Sequence, residues 1–201
     1  MSVRVDRESF LRRLGVITDE VSPNLIEALD WIAAQGLAHV EIRMVDGLNV
    51  SKLSDEQVDR VRREVESRGL YVSAVSSPVF KCALDPGRPV RTGDTFGNEE
   101  ESVEQHVEKL RRVIDIARRL GTRRIRIFSF WREEEPERYR DEIVGHLRRA
   151  AEIAAAEDVL LLLENEGSCN GGSAQEVADY VRAVDSPHLR ALWDPGNEAT
   201  G

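Results

Sequence analysis

The 201-residue sequence is poor in cysteine, in basic charge, in histidine and in long apolar runs. Each shortage excludes a class of protein. The two cysteines, Cys82 and Cys169, stand far apart and form no CxxC pair, so neither a disulfide framework nor a cysteine zinc site is expected. Reduced thiols in a cytoplasmic location fit instead. Lysine and arginine number 28 against 37 acids, a formal net charge of −9, and such a field repels phosphate backbones. Nucleic acid is not an expected partner. No stretch reaches the roughly 18 apolar residues of a membrane span. The start, MSVRVDRESFLRRLG, holds no apolar run of signal-peptide length. Neither export nor membrane insertion is expected.

What the sequence does have is a composition 41% hydrophobic and 32% charged, enough for a sizeable core in one globular domain over residues 1–201. Short aliphatic runs alternate with segments of helical period. The strand candidates are 14–21, 39–45, 70–80, 123–131, 159–165 and 189–194. Between them, Ser22 and Pro23 open a helix ended by Gly36, and Ser54 to Gln57 has capping-box spacing before Val58, Val61 and Val65. Val103, Val107, Leu110, Ile114 and Ala117 line a third helix, a fourth runs from about Pro136 to Glu157, and Ser173 to Glu176 caps a fifth. A helix after every strand implies a parallel sheet of right-handed crossovers. The first strand leads into TDEVSPN, with no GxGxxG and no GxxxxGK[ST], which argues against a doubly wound nucleotide-binding sheet. The expectation is an α/β fold of (β/α)₈ TIM-barrel type, an open barrel of about six βα units, with its chemistry at the C-terminal strand ends. The irregular segment 81–98 is long enough to be a lid or a ligand contact.

Strand alternation sorts the polar residues. Glu41 and Arg43 share the face opposite Val40, Ile42 and Met44, and Arg126 shares one with Phe128, so these charges point into the barrel. A buried guanidinium needs a carboxylate, so Arg126 is expected to pair with Glu41 or another strand-end acid, the alternative being an exposed Arg at a strand start. In VLLLLENEG, five aliphatic residues, Val159 to Leu163, run straight into Glu164, Asn165 and Glu166. Glu164 has the parity of Leu160 and Leu162, and Asp194 ends the next strand in the same way. Two carboxylates at one rim repel unless a cation lies between them, and oxygen-rich sites suit Mg²⁺ or Mn²⁺. The alternative is that Asp194 or Glu164 caps a following helix or pairs with a strand-end Arg.

The order of VITDEVSPN, HVEIR, SAVSSPVFK, RIFSFWR, LLLENEG and LWDPGN resembles the sugar phosphate isomerase/epimerase family, the xylose isomerase-like TIM barrels, from Leu14 onward. The resemblance implies one divalent metal ion (Mn, Mg, Co or Zn), with Glu164 and Asp194 matching its ligands from the fifth and sixth strands. It implies that Glu164 is also the catalytic base, removing a proton beside a substrate carbonyl on the way to an enediolate. The implied activity is isomerisation or epimerisation of a small sugar or related hydroxy-carbonyl compound. The family's seventh-strand His and eighth-strand Glu have no counterpart in PGNEATG, the seven residues after Asp194. None of His39, His106, His146 or His188 is placed to replace them. The expectation is a C-terminally truncated member with weak metal binding and impaired turnover. Its two exposed sheet edges would favour pairing between molecules, hence a homo-oligomer.

Further substrate contacts are expected at Ser76, Lys81, Trp131, Asn165 and Asn197, beside Glu41, Arg43 and Arg126. Lys81 would meet a ligand anion or else be a solvated loop lysine. Trp131 would wall the pocket or pack on a helix, and the two asparagines would orient ligands. Glu166 lies farther out, against loop backbone. The acid clusters Glu99 to Glu101 and Glu133 to Glu135 read as helix N-terminal charges. Two other readings are a non-catalytic barrel remnant acting as a binding or assembly module, and a hydrolase resembling an apurinic-site endonuclease. The latter needs metal-binding histidines and a basic surface, both lacking here.

Overall fold

The computed structural model describes residues 7 to 200. A short helix, α1 (Arg7–Leu11), precedes β1 (Gly15–Ile17), the helical turn α2 (Thr18–Val21) and helix α3 (Leu25–Ala34). Strand β2 (His39–Ile42) leads to a small hairpin of β3 (Met44–Val45) and β4 (Leu48–Asn49), then to α4 (Asp55–Glu66). There follow β5 (Tyr71–Ser76), β6 (Val90–Arg91), α5 (Val103–Arg119), β7 (Arg124–Ile127), β8 (Arg132–Glu133) and α6 (Arg140–Ala156). The chain continues through β9 (Leu160–Glu164), α7 (Ala174–Val184), β10 (Leu189–Leu192) and α8 (Pro195–Thr200).

Six of these strands form one parallel sheet in the order β1-β2-β5-β7-β9-β10. Among the described residues β1 and β10 are its edges, so the sheet is an open barrel of six βα units. Alternation decides the faces. Val40, Ile42, Ile125, Ile127, Leu161 and Leu163 are completely buried against the helices. Leu160 and Leu162, half-buried, share the inner face with Glu164. The helices answer with Val58, Val61 and Val65 of α4, Leu110, Val113 and Ile114 of α5, and Leu147, Ala150 and Ala154 of α6, all buried. Each aliphatic side chain of valine size or larger so buried contributes about 1.5–3 kcal/mol of transfer free energy. Full capping boxes start α4 (Ser54, Gln57), α5 (Ser102, Gln105) and α7 (Ser173, Glu176). No helix among the described residues is long and apolar enough to cross a membrane.

The strands are shorter than the sequence suggests. The first stops at Ile17, because Thr18–Val21 coils so that Asp19 accepts from Met44 N–H at 3.1 Å. Asn24, not Ser22, caps α3, accepting from Glu27 N–H at 3.1 Å, while Ser22 Oγ accepts from Asn24 N–H. The start of the fourth helix, Pro136–Tyr139, is a 3₁₀ turn. Beyond Ser76 and Ile127 the third and fourth barrel strands run on side by side as irregular backbone, with Phe130 N–H donating to Phe80 O and Trp131 N–H to Cys82 O. Phe80 (φ 65) and Phe130 (φ 64) turn the two segments in the left-handed region, which costs a bulky residue about 1–2 kcal/mol. Their buried rings, 4.8 Å apart between centroids, stabilise that conformation.

Candidate functional site

The C-terminal strand ends converge on a cavity of about 420 Å³ at the open side of the sheet, with Glu20, Glu41, Arg126, Glu164 and Asp194 among its lining residues. Register accounts for the convergence. Leu192 sits opposite Glu164, so Asp194 emerges two residues above it, and Arg126 lies opposite Leu162, one turn of the pleat below Glu164. Glu164 and Asp194, expected at one rim, face one cavity.

The buried Glu164 has a protein partner. Arg126 Nε lies 3.1 Å from Glu164 Oε2, with side-chain exposures of 4% and 9%. Neither of those two atoms makes a hydrogen bond of good geometry. Arg126 Nη2 donates to Ser76 O at 3.2 Å, and Ser76 Oγ donates to Glu41 Oε2 at 2.8 Å, so three successive strands are tied across the inner face. Burial pushes the Glu164 carboxyl above the usual carboxylate range; Arg126 opposes the push and the nearby Asp194 adds to it. Asp194 is engaged differently. Its Oδ1 accepts from Gly196 N–H at 2.7 Å and Asn197 N–H at 3.0 Å, capping α8.

The partner of Glu164 in this structure is therefore a guanidinium, where the sequence reading placed a metal. The donor chemistry still suits a hard divalent ion: two carboxylates face one cavity, and one of their oxygens is buried without a hydrogen bond. They are two donors only. Among the described residues no group of three His, Cys, Asp or Glu side chains lies close enough to hold a metal ion.

The other candidates divide. Arg43 pairs with Asp19 at 2.9 Å and Glu20 at 3.3 Å. Lys81 is no solvated loop lysine: its side chain is 1% exposed, 3.1 Å from Glu166 Oε2, and it donates to Asp94 O. Phe128 and Trp131 present their rings to its ammonium at 4.5 and 5.8 Å. Trp131 is completely buried and donates its indole N–H to Glu100 at 2.8 Å, so it offers a ligand no surface. Asn165 is also buried and spends its amide on Asp194, accepting from Asp194 N–H at 2.7 Å and donating to Asp194 O at 2.9 Å. Asn197 Nδ2 donates to Asn165 O at 2.9 Å. Both asparagines hold protein backbone. Glu166 accepts from Ser168 N–H in its loop as well as from Lys81.

The acid clusters do lie just before α5 and the 3₁₀ start of the fourth helix, and some of their members also make tertiary ties. Glu133 is buried in β8 beside Arg88 at 3.3 Å, and Glu100 holds Trp131 and Ala83 N–H. Cys169 is buried, and desolvation pushes its thiol up to about 12, which leaves it unreactive. The sequence reading missed Asp19, His39, Phe96 and Trp193. His39 opens β2 at the far end, yet its ring reaches the cavity because Gly15 beside it has no side chain. Phe96 lies in the irregular 81–98 segment, whose length was the one available signal.

The family model of the xylose isomerase-like TIM barrel matches residues 29–200. No curated protein matches the sequence. Solved structures do match in fold. One is a xylose isomerase-like TIM barrel/4-hydroxyphenylpyruvate dioxygenase fusion protein (21% identity, TM-score 0.68, covering 88% of this chain and 26% of that one). Another is a xylose isomerase-like TIM barrel protein from Mycobacterium smegmatis in complex with magnesium (18%, TM-score 0.62, 86% and 56%). A third is D-psicose 3-epimerase with D-tagatose from Clostridium cellulolyticum H10 (15%, TM-score 0.67, 91% and 64%). The chain thus spans between about a quarter and two thirds of the length of these structures. The match over most of its residues, with the open parallel barrel, means that the chain belongs to the xylose isomerase-like TIM barrel family.

Proposed function

We propose that the chain carries part of the active site of a divalent-metal-dependent isomerase or epimerase acting on a small sugar or sugar-derived hydroxy-carbonyl compound. One observation supports this above the others. Glu164, 7% exposed, faces a cavity with its Oε2 unbonded and its proton affinity raised by burial, which is the environment of a working general base. In this reading Glu164 Oε2 takes the proton from the carbon beside the substrate carbonyl. Arg126 keeps the carboxylate ionised and aimed, and Ser76 fixes Glu41 to receive substrate hydroxyls. Asn165 and Asn197 hold Asp194 at the rim through its backbone and its neighbour's. A divalent cation held by Glu164 and Asp194 would polarise carbonyl and hydroxyl oxygens of the substrate.

The rival reading, a non-catalytic binding or assembly module, draws on the ion pair that already neutralises Glu164 and on the helix cap that already engages Asp194. Titration with Mn²⁺ or Mg²⁺ while following thermal unfolding separates the two. A rise in Tm that disappears in Glu164→Gln and in Asp194→Asn supports the isomerase site. An unchanged Tm at millimolar metal favours the module.

A further inference from the structure

Phe96 sits in the 81–98 segment with its backbone in the left-handed region (φ 50). Its N–H donates to Asp94 Oδ1 at 2.7 Å and its carbonyl accepts from Asn49 Nδ2 at 3.4 Å, so its ring is held in place from both sides. Three cations surround that ring. Lys81 Nζ is 4.6 Å from its centroid, and the guanidinium carbons of Arg43 and Arg126 are 4.7 and 5.7 Å away. They come from three successive strands of the sheet, β2, β5 and β7, at or just past their ends.

Each of these cations also has a carboxylate: Asp19 for Arg43, Glu166 for Lys81 and Glu164 for Arg126, at 2.9, 3.1 and 3.1 Å. The groups best suited to grip a phosphate or carboxylate are spent on the protein and roofed by a phenyl ring. The cavity wall keeps Glu20, Glu41, Glu164 and Asp194 against the single guanidinium of Arg126. Ionised carboxylates only accept hydrogen bonds. Hydroxyl groups donate to them readily, whereas a ligand anion has nothing to donate and is repelled. With Glu164 and Asp194 offset by a divalent cation, Glu20 and Glu41 still outnumber Arg126.

We infer that Phe96 is a specificity-determining residue, reserving the cavity for uncharged polyhydroxy substrates by withholding Arg43 and Lys81 from it. This rests on the isomerase or epimerase reading of the cavity and names its substrate class. The test has two arms. In the first, ligand-observed NMR titrates wild type, Phe96→Tyr and Phe96→Ala with D-fructose, D-tagatose and D-fructose 6-phosphate. Wild type and Phe96→Tyr should favour the uncharged sugars by about tenfold, and Phe96→Ala should lose most of that preference, as expected if a desolvated cation–π contact is released. In the second, acylation by a lysine-reactive ester is followed by mass spectrometry. The chain has three lysines, Lys52, Lys81 and Lys109. Lys81 should be protected in wild type and become reactive in Phe96→Ala, with Lys109 unchanged as the sign that the fold is intact.

Preference of the wild type for the phosphate ester, or a Lys81 still protected in Phe96→Ala, overturns this inference alone. Binding of neither class defeats the isomerase reading, and the substrate assignment with it.

Discussion

Arg126 and Glu164 face each other at 3.1 Å on the inner face of the sheet, almost wholly buried, yet the two atoms in contact form no well-directed hydrogen bond. The folded protein already draws Glu164 toward its neutral form through burial. Replacing it with the neutral Gln removes that cost and keeps an oxygen near Arg126. Replacing Arg126 with Met leaves a carboxylate buried beside Asp194 with its cation gone. Breaking a buried pair from one side typically costs about 3–5 kcal/mol. We expect Arg126→Met to lose stability on that scale, and Glu164→Gln, which leaves the buried guanidinium facing only a neutral amide oxygen, to lose less, about 1–3 kcal/mol. Urea denaturation at pH 7 measures both. Equal losses would mean that the pair is a structural tie and not a base held at a cost.

A second expectation concerns pH. His106, 1% exposed, accepts from Phe80 N–H at 2.8 Å through Nδ1, and its Nε2 lies 3.6 Å from Glu101. Desolvation, with Lys109 beside it, lowers its pKa from 6.5 to about 4, although Glu101 pulls the other way. Below pH 6.5 the unfolded chain takes up a proton that the folded chain refuses until about pH 4. Stability from this group is therefore complete above 6.5 and falls as the pH drops through that window, by about 3 kcal/mol in all. His106→Asn keeps an acceptor for Phe80 N–H and cannot titrate. Its stability should be lower at pH 7 but flatter between pH 6.5 and 4. Parallel curves for the two proteins would assign the acid sensitivity elsewhere.

These buried contacts show what a reader of the sequence could reach. Alternation alone put Glu41, Arg126 and Glu164 on one face, and a buried guanidinium demands an acid, so the partnership of Arg126 with a strand-end carboxylate was legible. Which acid it chose was not, because that depends on register: Arg126 lies opposite Leu162, next to Glu164 on the same face. Glu164 and Asp194 were legible as a pair at one mouth, but the backbone N–H groups of Gly196 and Asn197 that engage Asp194 appear only once the chain turns into α8. The protein partners of Trp131, Lys81 and Asn165 were not legible either: Asn165 meets Asp194 only where the chain turns into α8, and Lys81 and Trp131 meet the irregular stretch between β5 and α5. Residues 81–98 fold back over the strand ends, and nothing in a linear pattern reports that a loop lysine will lie under Phe96. Helix starts were read best, since Ser54 and Ser173 act within four residues of chain.

Gly15 gives a prediction about the sheet edge. A Cβ there would lie 2.0 Å from His39 Nδ1 and 2.8 Å from His39 O. The ring can swing away; the carbonyl, part of the β1–β2 pairing, cannot. Gly15→Ala should therefore cost about 1–3 kcal/mol, and adding His39→Ala should recover only part of it, because the backbone contact persists. A double-mutant cycle by thermal denaturation reads the coupling. Full recovery in the double variant would place the whole conflict on the imidazole.

Asn165 carries the last prediction. Its side chain accepts from Asp194 N–H, donates to Asp194 O and lies 3.3 Å from Glu198 Oε2, whose carboxylate also takes Ala174 N–H at the start of α7. One buried amide thus joins the end of β9 to the end of β10 and to α8. Asn165→Ala removes these bonds and should cost about 2–3 kcal/mol. The loss should be local, since among the described residues β10 is an edge strand paired only with β9. Hydrogen exchange of residues 189–200 should quicken well beyond that of α5, whose core packing does not involve Asn165. Asn165→Asp keeps the acceptor for Asp194 N–H but sets a negative charge against Asp194 O and Glu198. It should be at least as damaging as Asn165→Ala, and less so at low pH, where the new carboxyl regains a proton to donate. If Asn165→Asp matched wild type at neutral pH, the donor half of the contact would be irrelevant, and Asp194 would be held at the cavity by its own N–H bond and its cap on α8.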